Sequence, residues 1–266
     1  MISVLMSVYY KEKPEYLKAS IDSLLNQTLM PSEIVIIKDG KLTDELENVL
    51  KEYENNSLFS IYGYEENKGL GLALNYGVLK CKYDIIARMD SDDICKPNRV
   101  ELEYNKLKEG YDIVGSNTKE FIDNIDNVIS TRLMPEAHDD IISYSKTRNP
   151  FIHPSIMTYK KVILDSGNYM DCYLCEDYDM WVRILERGYK AYNIQDFLVY
   201  MRVGKDFYRR RGGLKYCKAI VSFKKKLYKK GYMSFFKYQK TKFATIIVSL
   251  MPGFLREFIY KKFLRK

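Results

Sequence analysis

The chain has 266 residues, 46% hydrophobic and 29% charged, enough to bury a substantial core as one large domain or a domain with an extension. This composition excludes a disordered chain, a collagen-like repeat and a small disulfide scaffold. The net charge of +8 conceals a division: residues 201–266 carry 20 Lys/Arg against Asp206 and Glu257, net +18, and the first 200 residues are net −10.

Ile2–Val8 is a short apolar run that reads as a first strand, because MISVLMSVYY has neither the basic start nor the small-residue cleavage site of a leader. Pro14–Gln27 has helical spacing at Leu17, Ile21, Leu24 and Leu25, and Pro14 suits a helix start. Glu33–Ile37 is a second strand running to Asp39-Gly40. A second helix carries Leu46, Val49, Leu50 and Tyr53, with Thr43 as its N-cap. Phe59–Tyr64 (strand), Leu70–Lys80 (helix), Asp84–Met89 (strand), Pro97–Lys108 (helix) and Asp112–Gly115 (strand) continue the alternation. Such alternation predicts an α/β fold with a mostly parallel sheet covered on both faces.

From 117 to 200 the pattern is less regular. Strand-like pieces flank Asp123–Asn127, helices are expected at Glu136–Lys146 and Glu176–Arg187, and Phe197–Val203 reads as extended. Beyond Gly204, helical spacing returns at Leu214, Cys217, Ile220, Val221, Leu227 and Tyr228, and again at Leu255, Phe258, Ile259 and Tyr260. No apolar run reaches the ~20 residues of a spanning helix. Five cysteines form an odd, sparse set suited to a reducing cytosol. Cys172-x-x-Cys175 has no second Cys pair or suitable His spacing, so it reads as two ordinary thiols and not as a zinc site.

In an open α/β sheet the ligand lies beyond the carboxyl ends of the strands. Three features fall there: the Ser7-Val8-Tyr9 turn, Asp39, and the Asp90-Ser91-Asp92-Asp93 run. Asp90 and Asp92, at i and i+2 of an extended segment, point the same way and can share a divalent cation that holds a diphosphate. Taken alone the run also suits a solvated loop or helix cap; the apolar strand before it and the helix after it favour a site. Glu176-Asp177 opens a helix, where acidic residues also simply complement the helix dipole. A catalytic role requires one of them to face the cation site as a general base. Gly69 and Gly71 precede a helix without forming a dinucleotide fingerprint, so they permit close backbone approach or a plain turn. His153 is one of two histidines, which alone does not separate a structural role from a catalytic one.

Read in order, these motifs resemble family 2 glycosyltransferases of the GT-A fold. The matching pieces are Ser7-Val8-Tyr9, Ser23-Leu24-Leu25-Asn26-Gln27-Thr28, Asp39-Gly40, Glu66-Asn67-Lys68-Gly69-Leu70 and Arg88-Met89-Asp90-Ser91-Asp92-Asp93. Asn149-Pro150-Phe151-Ile152-His153-Pro154-Ser155, the Glu176–Arg183 segment and Arg210-Arg211-Gly212-Gly213 are similar to the subgroup that makes amylovoran and other exopolysaccharides. The resemblance covers residues 1–215. It implies a GT-A catalytic domain over 1–203, with a nucleotide-sugar half (1–116) and an acceptor half (117–203); the charge and aromatics of the remaining residues lead us to expect a basic, amphipathic, membrane-associating helical extension over 204–266.

The resemblance also implies roles. The nucleotide-sugar pocket would comprise Ser7, Val8, Tyr9, Asp39, Asn67, Gly69, Asn75, Arg88, Asp90 and Ser91, with Asp39 on the nucleobase and Asp90 near the ribose. Asp92, with Asp90, would bind Mn²⁺ or Mg²⁺, Asp177 would act as base with Glu176 in support, and His153, Trp181 and Arg183 would lie on the acceptor side. Cys175 stands where relatives often carry an acidic or small residue. The implied activity is inverting, metal-dependent transfer from a nucleotide sugar, a UDP-sugar by expectation, to a lipid-linked saccharide in capsule, exopolysaccharide or O-antigen synthesis. The implied location is cytoplasmic, peripheral on the inner face of the cell membrane. The tail alternates Lys/Arg with aromatics, as interfacial helices do, and carries no nucleic-acid motif. Two other readings are a sugar-phosphate nucleotidyltransferase, which would want a Gly-rich basic loop after strand one, and a non-catalytic membrane-binding module, against which the intact carboxylates argue.

Overall fold

The structure, a computed structural model, describes residues 1–172, 174–204 and 210–259. Its centre is one nine-stranded sheet. Strands β1 (Ile2–Val8), β2 (Glu33–Asp39), β3 (Phe59–Tyr64) and β4 (Ile85–Asp90) lie in the order β3-β2-β1-β4, all parallel. Helices α1 (Pro14–Leu25), α2 (Asp44–Lys51) and α3 (Leu70–Lys80) make the crossovers. Thr43 caps α2, its hydroxyl accepting from the Leu46 N–H at 3.4 Å.

Strand alternation sorts the core into two layers. Val4, Met6, Val8, Ile34 and Ile36 point to α1 and α2, meeting Leu17, Ile21, Leu24, Leu46 and Leu50. Leu5, Val35 and Ile37 point the other way, to Ala73, Leu74 and Val78 of α3. Both faces are covered, which explains the near-continuous apolar runs of these strands.

The remaining strands are mixed. β8 (Met157–Tyr159) pairs antiparallel with β4 and with β6 (Ile113–Phe121). β6 runs parallel to β9 (Ala191–Arg202), while β7 (Val128–Arg132) and the two-residue β5 (Ile94–Cys95) add antiparallel edges. The parallel character expected of the whole sheet is thus concentrated in β1–β4. Strands β6 and β9 run well past the expected Asp112–Gly115 and Phe197–Val203. They pair through register shifts at Ser116–Asn117–Thr118, three polar residues buried at 0, 1 and 0% exposure, which hid the strand from a hydrophobic pattern. Helices α4 (Arg99–Lys108), α5 (His138–Ser145), α6 (Lys160–Asp165) and α7 (Glu176–Glu186) complete this part.

The basic segment forms α8 (Gly213–Lys229), α9 (Phe235–Leu250) and α10 (Gly253–Ile259); the helical spacing read at Tyr260 lies outside the described residues. α8 and the turn that follows it are anchored on α7: Phe223 and Leu227 of α8 and Met233 of the turn bury against Tyr178 and Val182, and Lys226 Nζ meets Asp179 at 2.6 Å. Among the described residues no helix is long and apolar enough to cross a membrane.

One expectation is overturned. Cys172 and Cys175 are joined by a disulfide and are not two ordinary thiols. The chain turns between them, the Cys175 N–H donating to the Cys172 carbonyl at 3.0 Å, and this brings the Cα atoms to 5.4 Å, within bridging range. Spacing alone did not reveal that turn. Cys81, Cys95 and Cys217 are free and buried.

Candidate active site

The parallel register brings the first motifs together. Ser7 is opposite Asp90 across β1 and β4, and Asp39 ends β2. Asp90, Asp92 and Asp93 hold carboxylate oxygens within 4.8 Å of one another. Burial, then Asp90 and Glu12, push the Asp92 carboxyl up to about 7. Burial pushes Asp93 well up too; its Oδ1 accepts from the Arg202 N–H at 2.7 Å while its buried Oδ2 has no partner among the described residues. Three crowded hard-oxygen donors, one of them orphaned, fit a divalent cation such as Mn²⁺ or Mg²⁺. Burial raises Glu12 as well, and its Oε2 accepts from the Ser91 hydroxyl at 2.6 Å. Arg202, its guanidinium 3.8 Å from the Tyr16 ring centre, donates to the Asp92 carbonyl at 3.0 Å and so ties β9 to the loop.

The second acidic group opens α7. Asp177 accepts from the Asn149 amide at 2.6 Å and from the Tyr178 N–H at 2.7 Å. Burial nevertheless raises its carboxyl, against the lowering pull of Arg88 and Arg132. Burial and then Asp177 push Glu176 up to about 7. A Cβ on Gly71 would stand 3.2 Å from the Glu176 Cβ, so the missing side chain lets the start of α3 close on the start of α7.

Arg88 stands between the two groups. It is 3% exposed and forms an ion pair with Asp90, and its Nε and Nη1 have no partner among the described residues. Its charge acts on Asp177 and Glu176 as well. Two buried unsatisfied donors cost about 1–3 kcal/mol each, a cost that ligand acceptors would remove. The hydroxyl of Tyr169, deep inside, feels Arg88, Asp177, Glu176 and Asp90 together.

Asp39 is 3% exposed and already engaged by four donors: the Tyr64 hydroxyl and Lys68 N–H at 2.8 Å, the Asn67 amide at 2.9 Å and the Gly69 N–H at 3.0 Å. It therefore clamps the 64–69 loop, and Gly69 at φ 91 supplies the turn into α3. A cavity on the β2–β3 edge, lined by Lys38, Gly40, Lys41, Tyr62 and Tyr64 among others, adjoins this clamp.

Other residues singled out in the sequence have the following surroundings. The Val8 side chain is in the core, and Tyr9 is partly exposed beside Arg210. The Asn75 amide donates to the Tyr169 carbonyl at 2.7 Å, holding α3 to the 168–169 turn. His153 bonds the Tyr169 hydroxyl at 2.8 Å and packs edge-on against Trp181, which is 1% exposed; burial lowers the imidazole well below its usual range. Arg183 donates to Asp179 at 2.9 Å and to the Asn168 carbonyl at 2.8 Å. His153, Trp181 and Arg183 thus support the floor of the second group from within. Glu12, Asp93, Asn149, Tyr169 and Arg202 had escaped notice as individual residues. Asp93 and Asn149 lay inside quoted motifs, whereas Glu12 and Arg202 reach the loop from 79 and 110 residues away and left no local signal.

A parallel α/β half ending in an acidic loop is thus joined through a mixed sheet to a second carboxylate pair. The sequence model of glycosyl transferase family 2 matches residues 3–167, and the chain belongs to that family. It is 36% identical over 99% of its length, and 96% of the relative's, to the UDP-Gal:alpha-D-GlcNAc-diphosphoundecaprenol beta-1,3-galactosyltransferase of Escherichia coli. It is 34% identical, over 98% of both chains, to the amylovoran biosynthesis glycosyltransferase AmsE of Erwinia amylovora. Among solved structures it resembles a Pyrobaculum calidifontis mannosyltransferase in complex with GDP-Man and Mn²⁺ (TM-score 0.63, 15% identity, 83% of this chain and 61% of that one). S. aureus TarS 1-349 in complex with UDP is similar at TM-score 0.61 and 18% identity, over 83% of this chain and 64% of that one. The chain therefore spans a little under two thirds of these solved structures.

Proposed function

We propose that this enzyme transfers a hexosyl group from a UDP-sugar to a hydroxyl of a diphospholipid-linked saccharide during assembly of a bacterial surface polysaccharide, inverting the anomeric centre. The full-length similarity to the Escherichia coli and Erwinia amylovora enzymes supports this choice of donor, acceptor and pathway. The observation that carries the chemistry is the pair of carboxylate groups sharing Arg88. Asp90 and Asp92, with Asp93 adjoining, would hold Mn²⁺ or Mg²⁺, which when bound supplies positive charge for the departing diphosphate.

The protein's own residues do the rest. Asp39 fixes the loop over the nucleotide, and Ser7 and Tyr9 line the turn beside it. Asp177 receives the proton of the acceptor hydroxyl as the new C–O bond forms and the bond to the diphosphate oxygen breaks. The Asn149 amide and the Tyr178 N–H aim its carboxylate. Glu176 supports it at the acceptor side, and Arg88, whose Nε and Nη1 have no partner among the described residues, would supply positive charge to what develops between the clusters. The workplace would be the cytoplasmic face of the membrane that carries the acceptor. Release of UDP from a panel of UDP-sugars, with a diphospholipid saccharide as acceptor, tests the assignment. Asp177→Asn is expected to cut transfer by about 10²–10⁴-fold with nucleotide binding retained; equal rates would remove Asp177 from the base role.

A further inference from the structure

Helix α9 is built inside out. The face it turns to the protein is polar: Tyr238 and Ser249 are buried, and Lys224 of α8 reaches across to the Thr245 hydroxyl at 2.8 Å and the Thr241 carbonyl at 3.3 Å. Tyr238 stacks on Tyr228 at 5.1 Å, and Arg256 caps the helix end by donating to the Ser249 and Met251 carbonyls. The opposite face carries Phe236 (83% exposed), Phe243 (59%), Ile247 (63%) and Leu250 (50%), spaced as one helical stripe, and Phe254 at the start of α10 extends the apolar surface at 72%. A helix in water does the reverse, with apolar side chains inward. Lys237 and Lys240 are exposed on the same helix, and Lys225 and Lys229 on α8.

We infer that the outer face of α9 and α10 is a docking surface for an anionic lipid bilayer, with the aromatic stripe in the acyl boundary and the flanking lysines on the headgroups. Charge chooses this occupant. Residues 201–266 are net +18, so a second copy on the same face would bring like charges together, whereas an anionic leaflet neutralises them. Helix α9 has 16 residues and lies on the surface without crossing it. Because α8 is fixed to α7 through Lys226 and Asp179, docking also sets the height of the second carboxylate group above the membrane. The inference rests on the lipid-linked acceptor of the proposed function.

The test uses the full chain with vesicles of phosphatidylcholine, with and without phosphatidylglycerol. Wild type is expected to sediment with the anionic vesicles only. Phe243→Glu combined with Ile247→Glu should weaken this binding by about a hundredfold. Lys237→Gln and Lys240→Gln should weaken it by about fivefold each, a loss that added salt mimics. UDP release with a water-soluble acceptor should be unchanged in all these variants, which also reports that they fold. Wild type left in the supernatant, or sedimentation indifferent to the Phe243/Ile247 pair, overturns the inference. So does a dimer in sedimentation velocity that the pair dissolves. Any of those results with UDP release intact would leave the transferase reading standing, whereas absence of UDP release in a protein that still binds vesicles would strike only that reading.

Discussion

The half of this enzyme proposed to hold the donor (residues 1–116) and the half proposed for the acceptor (residues 117–203) reach the same site by different routes. In β1–β4 Ser7, Asp39 and Asp90 are each placed by a strand end, so they align once the strands pair in parallel. In the acceptor half more than the local Tyr178 N–H places Asp177. It depends on Asn149, 28 residues upstream, on Arg88 of β4, and on a helix held from behind by Trp181, Tyr178 and the basic extension. One half is a repeated crossover with a site at its rim; the other is a long-range assembly that positions two carboxylates.

If that division is functional, substitutions should separate binding from turnover. The largest effect is expected at Asp92. Asp92→Asn removes the negative charge and one oxygen from the proposed cation cluster and should sharply weaken metal-dependent UDP binding, read by calorimetry with and without Mn²⁺. Asp177→Asn should leave that binding intact and lose turnover. Equal damage to binding from both would erase the distinction. Arg88→Met comes next, because Arg88 belongs to both halves: it leaves Asp90 without its ion-pair partner and removes the cation acting on Asp177 and Glu176. It should lower kcat by about tenfold to a hundredfold and weaken UDP binding as well, with Arg88→Lys restoring only part, since Lys lacks the planar fork. A change in kcat alone would place Arg88 wholly on the acceptor side. Asn149→Ala should be milder, about 1–2 kcal/mol in transition-state stabilisation, since a second donor to Asp177 remains.

The same division explains what could be read in advance. The donor half was legible because strand and helix periods follow each other and each motif sits at a strand end; Leu17, Ile21 and Leu24 or Leu46, Val49 and Leu50 declare their faces. The acceptor half was legible only as motifs. Asn117 is a buried polar residue whose amide donates to the Gln195 carbonyl of β9 and accepts from the Met134 N–H beyond β7, so no window of sequence contains the reason for its burial. The disulfide depends on a turn, and Arg202 on a sheet pairing. Over the residues of α9 only the alternation of Lys/Arg with aromatics was legible; the helix itself was not, and which of its faces looks outward is fixed by Lys224 from another helix.

The smallest effect concerns the cost of keeping two carboxylates side by side. Glu176 has its carboxyl pushed up to about 7 by burial and by Asp177, well above the ordinary Glu range. The pair titrates as a unit, taking its first proton near neutrality, so turnover in wild type should fall as pH drops below about 7. Glu176→Gln removes the site of that proton. The acid limb should then move to lower pH, with kcat at acidic pH retained better relative to alkaline pH than in wild type. Stability carries the opposite mark. Between the unfolded and folded values the native state holds a proton that the unfolded chain lacks, so the contribution of Glu176 to stability is present below the unfolded value and is lost as pH rises through about 7. Glu176→Gln should therefore raise Tm at alkaline pH, by about 2–4 °C for each kcal/mol relieved, and change it little at pH values where wild type is already protonated. A Tm gain equal at both pH values would mean that Gln merely packs better. A gain confined to the alkaline side, with an acid limb displaced downward, would show that the Glu176–Asp177 group gives up stability to hold charge.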